Sequence, residues 1–275
     1  MKIKYIYIKS LEIYYGFLGV LSNNILFNYC IERNAGDLFN KDYISERFYK
    51  KINKYSFGRK DHYLFCGSIL ARSNQYSTVV GAGFISKEQS ENRIEFKKII
   101  GVRGHLTANA LLVHNPNLEI KFLGDPGLLA REIVKPRGDN YIKKDIIGII
   151  PHFIDINSVF SIVNKEENVK IIDIRDNFKS VCKQILECDV ILSSSLHGLI
   201  FADAMNVPNM WIKVSNNIKG GGFKFLDYYS VMDSPKYNFF QCDNLVDIRN
   251  AALKADVSKN PNYNEMKKII DMVFK

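Results

Sequence analysis

Three serines, a leucine, a histidine and a glycine in a row carry the most chemistry in this chain. The run Ser193-Ser194-Ser195-Leu196-His197-Gly198 follows the apolar stretch Val190–Leu192 and precedes residues of helical period, Ile200 and Ala204 among them. A buried strand that hands over to a helix in an open parallel sheet offers its ligand site at the strand's carboxyl end. Unpaired amides and the positive end of the helix dipole attract anions there. Ser193, Ser194 and Ser195 add hydroxyl groups, Gly198 leaves room for a ligand, and the His197 imidazole can deliver a proton near neutral pH. The plainer alternative is that the serines cap the helix and His197 bonds to a neighbouring loop.

Further candidates lie at other strand ends. Lys219-Gly-Gly-Gly-Phe-Lys224 combines three glycines with two cations, which suits backbone closing over a phosphate held by Lys219 or Lys224. It also suits a plain surface connection, and its spacing is not that of a triphosphate-binding P-loop. Arg103 follows the run Lys98–Val102, where a guanidinium can grip a carboxylate or phosphate with two parallel bonds, or form a surface ion pair. A helix capped near Thr107 is expected after it, with His105 on the turn. In Asn34-Ala-Gly-Asp37 the acid is an N-cap or a base for an incoming hydroxyl. In Pro151-His152-Phe-Ile-Asp155 the His152 and Asp155 side chains can orient a substrate or fix a loop. Asp125-Pro126 shapes a turn, and His62 and His114 read as structural.

The elements that must hold these residues alternate between short apolar runs and stretches of helical period, the pattern of a parallel α/β protein. Strands are expected at Lys2–Ile8, His62–Cys66, Thr78–Val80, Lys98–Val102, Ile120–Leu123, Asp145–Ile150, Val169–Ile174, Val190–Leu192 and Met210–Val214. Several carry Ile and Val on successive residues, as strands covered on both faces do. Helical faces are expected at Phe178, Val181, Cys182, Ile185 and Leu186, and at Met266, Ile269, Ile270 and Val273. The polar stretch Lys135–Asn140 reads as a boundary. It divides the chain into residues 1–137 and 138–275, two Rossmann-like domains facing across a cleft, with the terminal helix crossing back over the first.

Composition narrows the classes. The chain has 275 residues, 47% hydrophobic and 24% charged, which is globular and long enough to fold without staples. Lys+Arg 38 against Asp+Glu 29 leaves +9, a charge that favours a polyanionic partner. Five cysteines without CxxC or zinc-ligand spacing read as buried thiols of a reduced compartment. No apolar run reaches the roughly 18 residues of a membrane span, and the N-terminus lacks a signal-peptide cleavage pattern. The expectation is a soluble cytoplasmic protein with no metal-ligand cluster.

Taken in order, Asn34-Ala-Gly-Asp37, Gly81-Ala-Gly83, Val102-Arg-Gly104 with Thr107, Gly124-Asp-Pro126, Ile150-Pro-His152 with Asp155, and Ser193–Gly198 make this chain resemble the polysaccharide pyruvyl transferase family. The resemblance runs from about residue 34 to about 230. It implies a GT-B-like fold and transfer of pyruvate from phosphoenolpyruvate, the donor substrate, to a sugar as a cyclic ketal, with no cofactor. The acceptor it implies is a sugar of a cell-surface polysaccharide or of its lipid-linked precursor. Residue by residue, His197 matches the family's active-site histidine, Arg103 its arginine after the strand, and Lys219 the lysine of the later loop. Many relatives have arginine where this chain has Ser195, so Lys219, Lys224 or Arg103 would replace that donor-binding cation.

On this reading His197 is the general acid, and Asp37 or Asp155 accepts the hydroxyl proton. The first domain then serves the acceptor and the second the donor. The positive charge is expected to hold the protein at the inner membrane face. Two other classes compete: a GT-B glycosyltransferase using a sugar nucleotide, and a non-catalytic polyanion-binding protein. Dispersed lysines and the absence of a nucleic-acid-binding signature argue against a nucleic-acid partner.

Overall fold

The computed structural model describes residues 24–30, 34–55, 59–163, 166–216 and 221–275, together with Ser10 and Tyr14. The expected strand Lys2–Ile8 and the candidate Lys219 lie outside the described residues. The described chain forms two compact units. One holds the residues up to Pro126 together with Asn262–Lys275, and the other holds Gly127–Pro261.

The first unit is built on a six-stranded parallel sheet. In chain order its elements are β1 (Ile25–Phe27), α1 (Ala35–Phe48), β2 (Ile52–Lys54), β3 (His62–Leu64), β4 (Ser77–Val80), the short α2 (Lys87–Ser90), β5 (Lys98–Val102), α3 (His105–His114) and β6 (Phe122–Leu123). The strand order is β2-β1-β3-β4-β5-β6. β1 and β2 escape a reading based on apolar runs because each is only three residues long and β2 is mostly polar. Its Lys54 is nonetheless buried, with the ammonium donating to the Tyr29 carbonyl and lying 5.0 Å from the centre of the Tyr29 ring.

The second unit repeats the plan. It runs β7 (Ile147–Ile150), α4 (Ile156–Val163), β8 (Val169–Ile171), α5 (Phe178–Leu186), β9 (Val190–Ser193), α6 (Leu196–Ala204), β10 (Asn209–Lys213), α7 (Phe223–Tyr229), β11 (Phe240–Gln241) and α8 (Leu245–Leu253). The order is β11-β10-β9-β7-β8, all parallel. Ile149, Leu192 and Ile212 from three adjacent strands pack with Val159 and Val163 of α4 and Ile248 and Ala251 of α8. The helix α5 buries Phe178, Val181, Cys182 and Ile185, the expected face, behind an Asn177 side chain that accepts from the Ser180 amide at 2.9 Å. All nine residues of α6 are buried, as an apolar helix without a polar face must be.

The polar stretch Lys135–Asn140 is not a free linker. The Arg137 amide donates to the Met205 carbonyl at 2.9 Å, and its guanidinium reaches the Asp189 and Cys188 carbonyls and stacks 3.6 Å from the centre of the Tyr141 ring. These bonds tie the stretch into the second unit. The chain returns to the first unit in α9 (Tyr263–Phe274), which buries Met266, Ile270 and Phe274. Phe274 stands among Phe27, Tyr63, Phe65 and Phe48, with ring centroids 5.1–5.9 Å away. Of the expected helical face, Ile269 and Val273 are only half-buried, because the contact row follows i, i+4, i+8.

All five cysteines are free thiols, four of them buried. Burial pushes Cys182 and Cys242 up to about 12 and Cys188 up to about 11, so these three stay protonated. Among the described residues no helix is long and apolar enough to cross a membrane.

Candidate active site

Strand order decides where each unit can bind a ligand. In both sheets the second strand pairs on one side of the first and the third on the other, so consecutive connections run to opposite faces. A crevice opens at the carboxyl ends of the strands flanking this reversal. In the second unit these strands are β7 and β9, and the segments leaving them are Pro151–Asp155 and Ser194–His197. Sequence candidates from two distant stretches therefore meet at one point.

What they do there differs from residue to residue. Asp155 is fully buried; its Oδ2 accepts from Ser194 Oγ at 3.0 Å and its Oδ1 from Ser215 Oγ at 2.5 Å. Ser194 Oγ in turn accepts from the His152 amide at 2.9 Å. The carboxylate thus braces the ends of β7, β9 and β10, and both oxygens are already engaged. Asp155 thereby holds these strand ends together. Ser193 Oγ lies 2.7 Å from the Ile150 carbonyl and 2.8 Å from the Ser195 carbonyl, and accepts from the Ser195 amide at 3.0 Å. It closes the turn. On the side where a Cβ would stand, the space beside Gly198 is filled by the protein. A Cβ there would come within 2.4 Å of Ser193 Oγ and 2.9 Å of Ile150 Cγ2, so glycine lets α6 press against the strands.

Ser195 occupies the N-cap position in extended conformation but makes no side-chain cap hydrogen bond. The first-turn amides of α6 have no intrahelical carbonyl to donate to, and here the capping side chain does not take them either. His197, in that first turn, is 8% exposed, and its ring centroid lies 6.1 Å from that of Phe201 one turn on. His152 is half-buried, and its Nδ1 accepts from the Ile154 amide at 3.4 Å. Burial, assisted by the Lys224 charge and opposed by Asp155, holds it down at about 4. It is a neutral imidazole at pH 7. Lys224, in α7, lies 5.3 Å from the Phe225 ring centre and supplies positive charge to this cluster. Asp155 sits in the interior with two hydroxyl donors, and His152 stands beside it as the less buried member of the pair.

In the first unit the reversal lies between β1 and β3. Asn34 N-caps α1, accepting from the Gly36 amide at 3.0 Å, and Asp37 sits half-buried in the first turn beside Gly67. Sequence reasoning missed Asn40, one turn further on. Its Oδ1 accepts from the Cys66 amide at 2.8 Å and its Nδ2 donates to the Cys66 carbonyl at 3.0 Å, pinning the end of β3 to α1. The available signal was a polar residue on the apolar face of Phe39, Tyr43 and Ile44. Cys66 Sγ then donates to the buried Asp125 Oδ1 at 3.3 Å, so Asp125 does more than shape a turn.

Arg103 is fully buried at the end of β5. Its two terminal nitrogens donate to Ser68 Oγ at 2.7 Å and the Phe84 carbonyl at 2.5 Å, and its guanidinium lies where a Cβ on Gly83 would be, 2.6 Å from Cζ. The helix after it is capped by Gly104, while Thr107 Oγ1 accepts from the Phe84 amide at 3.3 Å. His105, expected on the turn, is exposed as the first residue of α3. His62 is structural: Nδ1 donates to the Lys60 carbonyl at 2.9 Å, which leaves Nε2 to accept from Ser77 Oγ at 2.8 Å.

The sequence profile of the family described as polysaccharide pyruvyl transferase matches residues 21–216. This chain belongs to that family. The matched segment takes in both strand reversals, from Asn34 through Arg103 to Ser193–Gly198, and stops short of Lys219 and Lys224. An uncharacterized protein of Acanthamoeba polyphaga mimivirus is 32% identical over 209 residues, 72% of this chain and 70% of that protein. The succinoglycan biosynthesis protein ExoV of Rhizobium meliloti is 31% identical over 131 residues, 47% of this chain and 39% of that protein. Family membership supports a transferase acting on polysaccharide, and the matched segment includes the strand ends that the topology selects.

Proposed function

We propose that this pyruvyl transferase family member moves the pyruvyl group of phosphoenolpyruvate onto a sugar of a polysaccharide or its lipid-linked precursor, forming a cyclic ketal. The observation that carries the reading is the uncapped N-terminus of α6 at the strand reversal, with His197 in its first turn. Amides without a capping side chain suit a phosphate, and Lys224 adds charge to the same cluster. Lys219, assigned to this site by the family resemblance, would add a second cation.

In the reaction His197 delivers a proton to the methylene carbon, leaving C2 electrophilic. A sugar hydroxyl attacks C2, the carbon–oxygen bond to phosphate breaks, and a second hydroxyl closes the ring. One hydroxyl proton replaces the one His197 gave up and the other leaves with phosphate. Positive charge that holds phosphate more tightly as it departs stabilises the transition state more than the ground state. Arg103 acts in this proposal by positioning, because two of its donors already hold Ser68 and Phe84. The proposal includes the GT-B-type arrangement implied by the resemblance, and a cytoplasmic reaction at a membrane face.

The test is phosphate release from phosphoenolpyruvate that depends on an added saccharide, compared between the wild type and His197→Ala. Acceptor-dependent release by the wild type and its loss in the variant support the proposal. Release from a sugar nucleotide instead would reassign the chain to glycosyl transfer.

A further inference from the structure

The second unit contains a cavity that the sequence reading never reached. Its volume is about 300 Å³, at the lower end of the range for small-molecule sites, and it opens at the carboxyl end of β10. Its floor is aromatic. Trp211 pairs in register with Ser193 of β9, stacks on Phe225 at 4.4 Å with the planes 8° apart, and meets Phe239 edge-on at 5.6 Å. Gly222, at φ +89°, brings backbone against the indole, and a Cβ there would stand 3.0 Å from the ring. Lys213 places its ammonium 4.9 Å from the Phe239 ring centre, and Asn216 adds an amide. Ser215 lines the cavity and bonds Asp155, so the cavity adjoins the brace that holds the ends of β7 and β9.

We infer that this cavity is a subsite for a pyranose ring of the acceptor saccharide. The inference rests on the proposed function for its sugar acceptor, and its test below does not use phosphoenolpyruvate. A pyranose presents C–H groups on its face and hydroxyls around its edge. The first suit aromatic rings, whose faces are electron-rich, and the second suit Lys213, Asn216 and exposed backbone. Phosphoenolpyruvate is a poor match, since its phosphate and carboxylate need converging cations and the one ammonium among the described lining residues, that of Lys213, already lies over a ring. Phe239 is 42% exposed, an apolar surface kept open beside a void that a structural core would fill. On this assignment the second unit contributes to acceptor binding, a role the sequence reading gave to the first.

Trp211 is the chain's single tryptophan, so fluorescence excited at the red edge, where tyrosine does not absorb, reports on the ring that floors this cavity. The full chain is titrated with methyl pyranosides of gluco, galacto and manno configuration and their 2-acetamido forms. A saturable change with at least one of them is expected, weakened about tenfold in Phe239→Ala. Phe239 is half-exposed, so that variant is expected to keep the wild-type circular dichroism and melting point. A flat response to every glycoside overturns the assignment, as does equal binding by the folded variant. Uridine or adenosine monophosphate shifting the fluorescence while glycosides do not overturns it in favour of a nucleobase site. Glycoside binding without acceptor-dependent phosphate release would sink pyruvyl transfer and leave the sugar subsite standing.

Discussion

The two strand reversals share one topology and use their polar residues in opposite ways. In the first unit Asn34 caps α1, Asn40 holds both backbone groups of Cys66, and Arg103 spends donors on Ser68 and Phe84. In the second, Asp155 and Ser193 take over the bracing, while Ser195 leaves the first turn of α6 without a side-chain cap. A capped helix end has a first-turn amide taken by its own side chain, whereas at an uncapped one no capping side chain takes any. The lesson is that position at a strand end does not make a residue a binding group. Internal hydrogen bonds identify the braces.

The comparison breaks most visibly at His197. His197→Ala is expected to lower turnover about 10²–10⁴-fold while leaving the melting temperature within a few degrees of the wild type. Near-normal transfer by that variant would move the chemistry elsewhere. Arg103→Ala is the converse case. It removes a buried cation and leaves Ser68 Oγ and the Phe84 carbonyl without that partner, so a stability loss of about 3 kcal/mol or more is expected in urea unfolding. A fully stable variant with a raised donor KM would show that Arg103 grips the donor after all.

Smaller effects sharpen the contrast. Asp155→Asn keeps the shape but replaces one acceptor oxygen by a donor, so one of the Ser194 and Ser215 hydroxyls must turn away. A loss of about 1–2 kcal/mol is expected by urea unfolding, and an unchanged midpoint would show that the carboxylate braces nothing. His152 gives the last prediction. Its folded-state value of about 4 lies below the ordinary 6.5, so the unfolded chain takes up the proton first. Its contribution to stability is therefore complete above about pH 6.5 and is lost as pH falls toward 4. His152→Gln should flatten that part of the stability–pH curve, and an unaltered curve would show that His152 is solvated.

Much of the fold was legible because several strands, β5, β7 and β9 among them, carry apolar residues in succession, the direct consequence of two covered faces. Lys98–Val102 matches the structure to the residue, and most of the others differ only at their ends. β2 was illegible for the opposite reason. A strand of Ile, Asn and Lys has no apolar run, and Lys54 is buried only because the Tyr29 carbonyl comes to meet it. The aromatic cavity was equally hidden, since Trp211, Phe225 and Phe239 are separated by 14 residues each along the chain and share no motif.

The amino-acid order alone determined the parallel α/β class, the family, and the set of strand-end residues from which a site can be assembled. Periodicity and short motifs are local properties and survive without coordinates. Only the tertiary structure decided which of those residues hold the strands together. That choice depends on hydrogen bonds between segments dozens of residues apart, such as Asp155 with Ser194 and Ser215. No spacing along the chain encodes those partners, because packing brings them together.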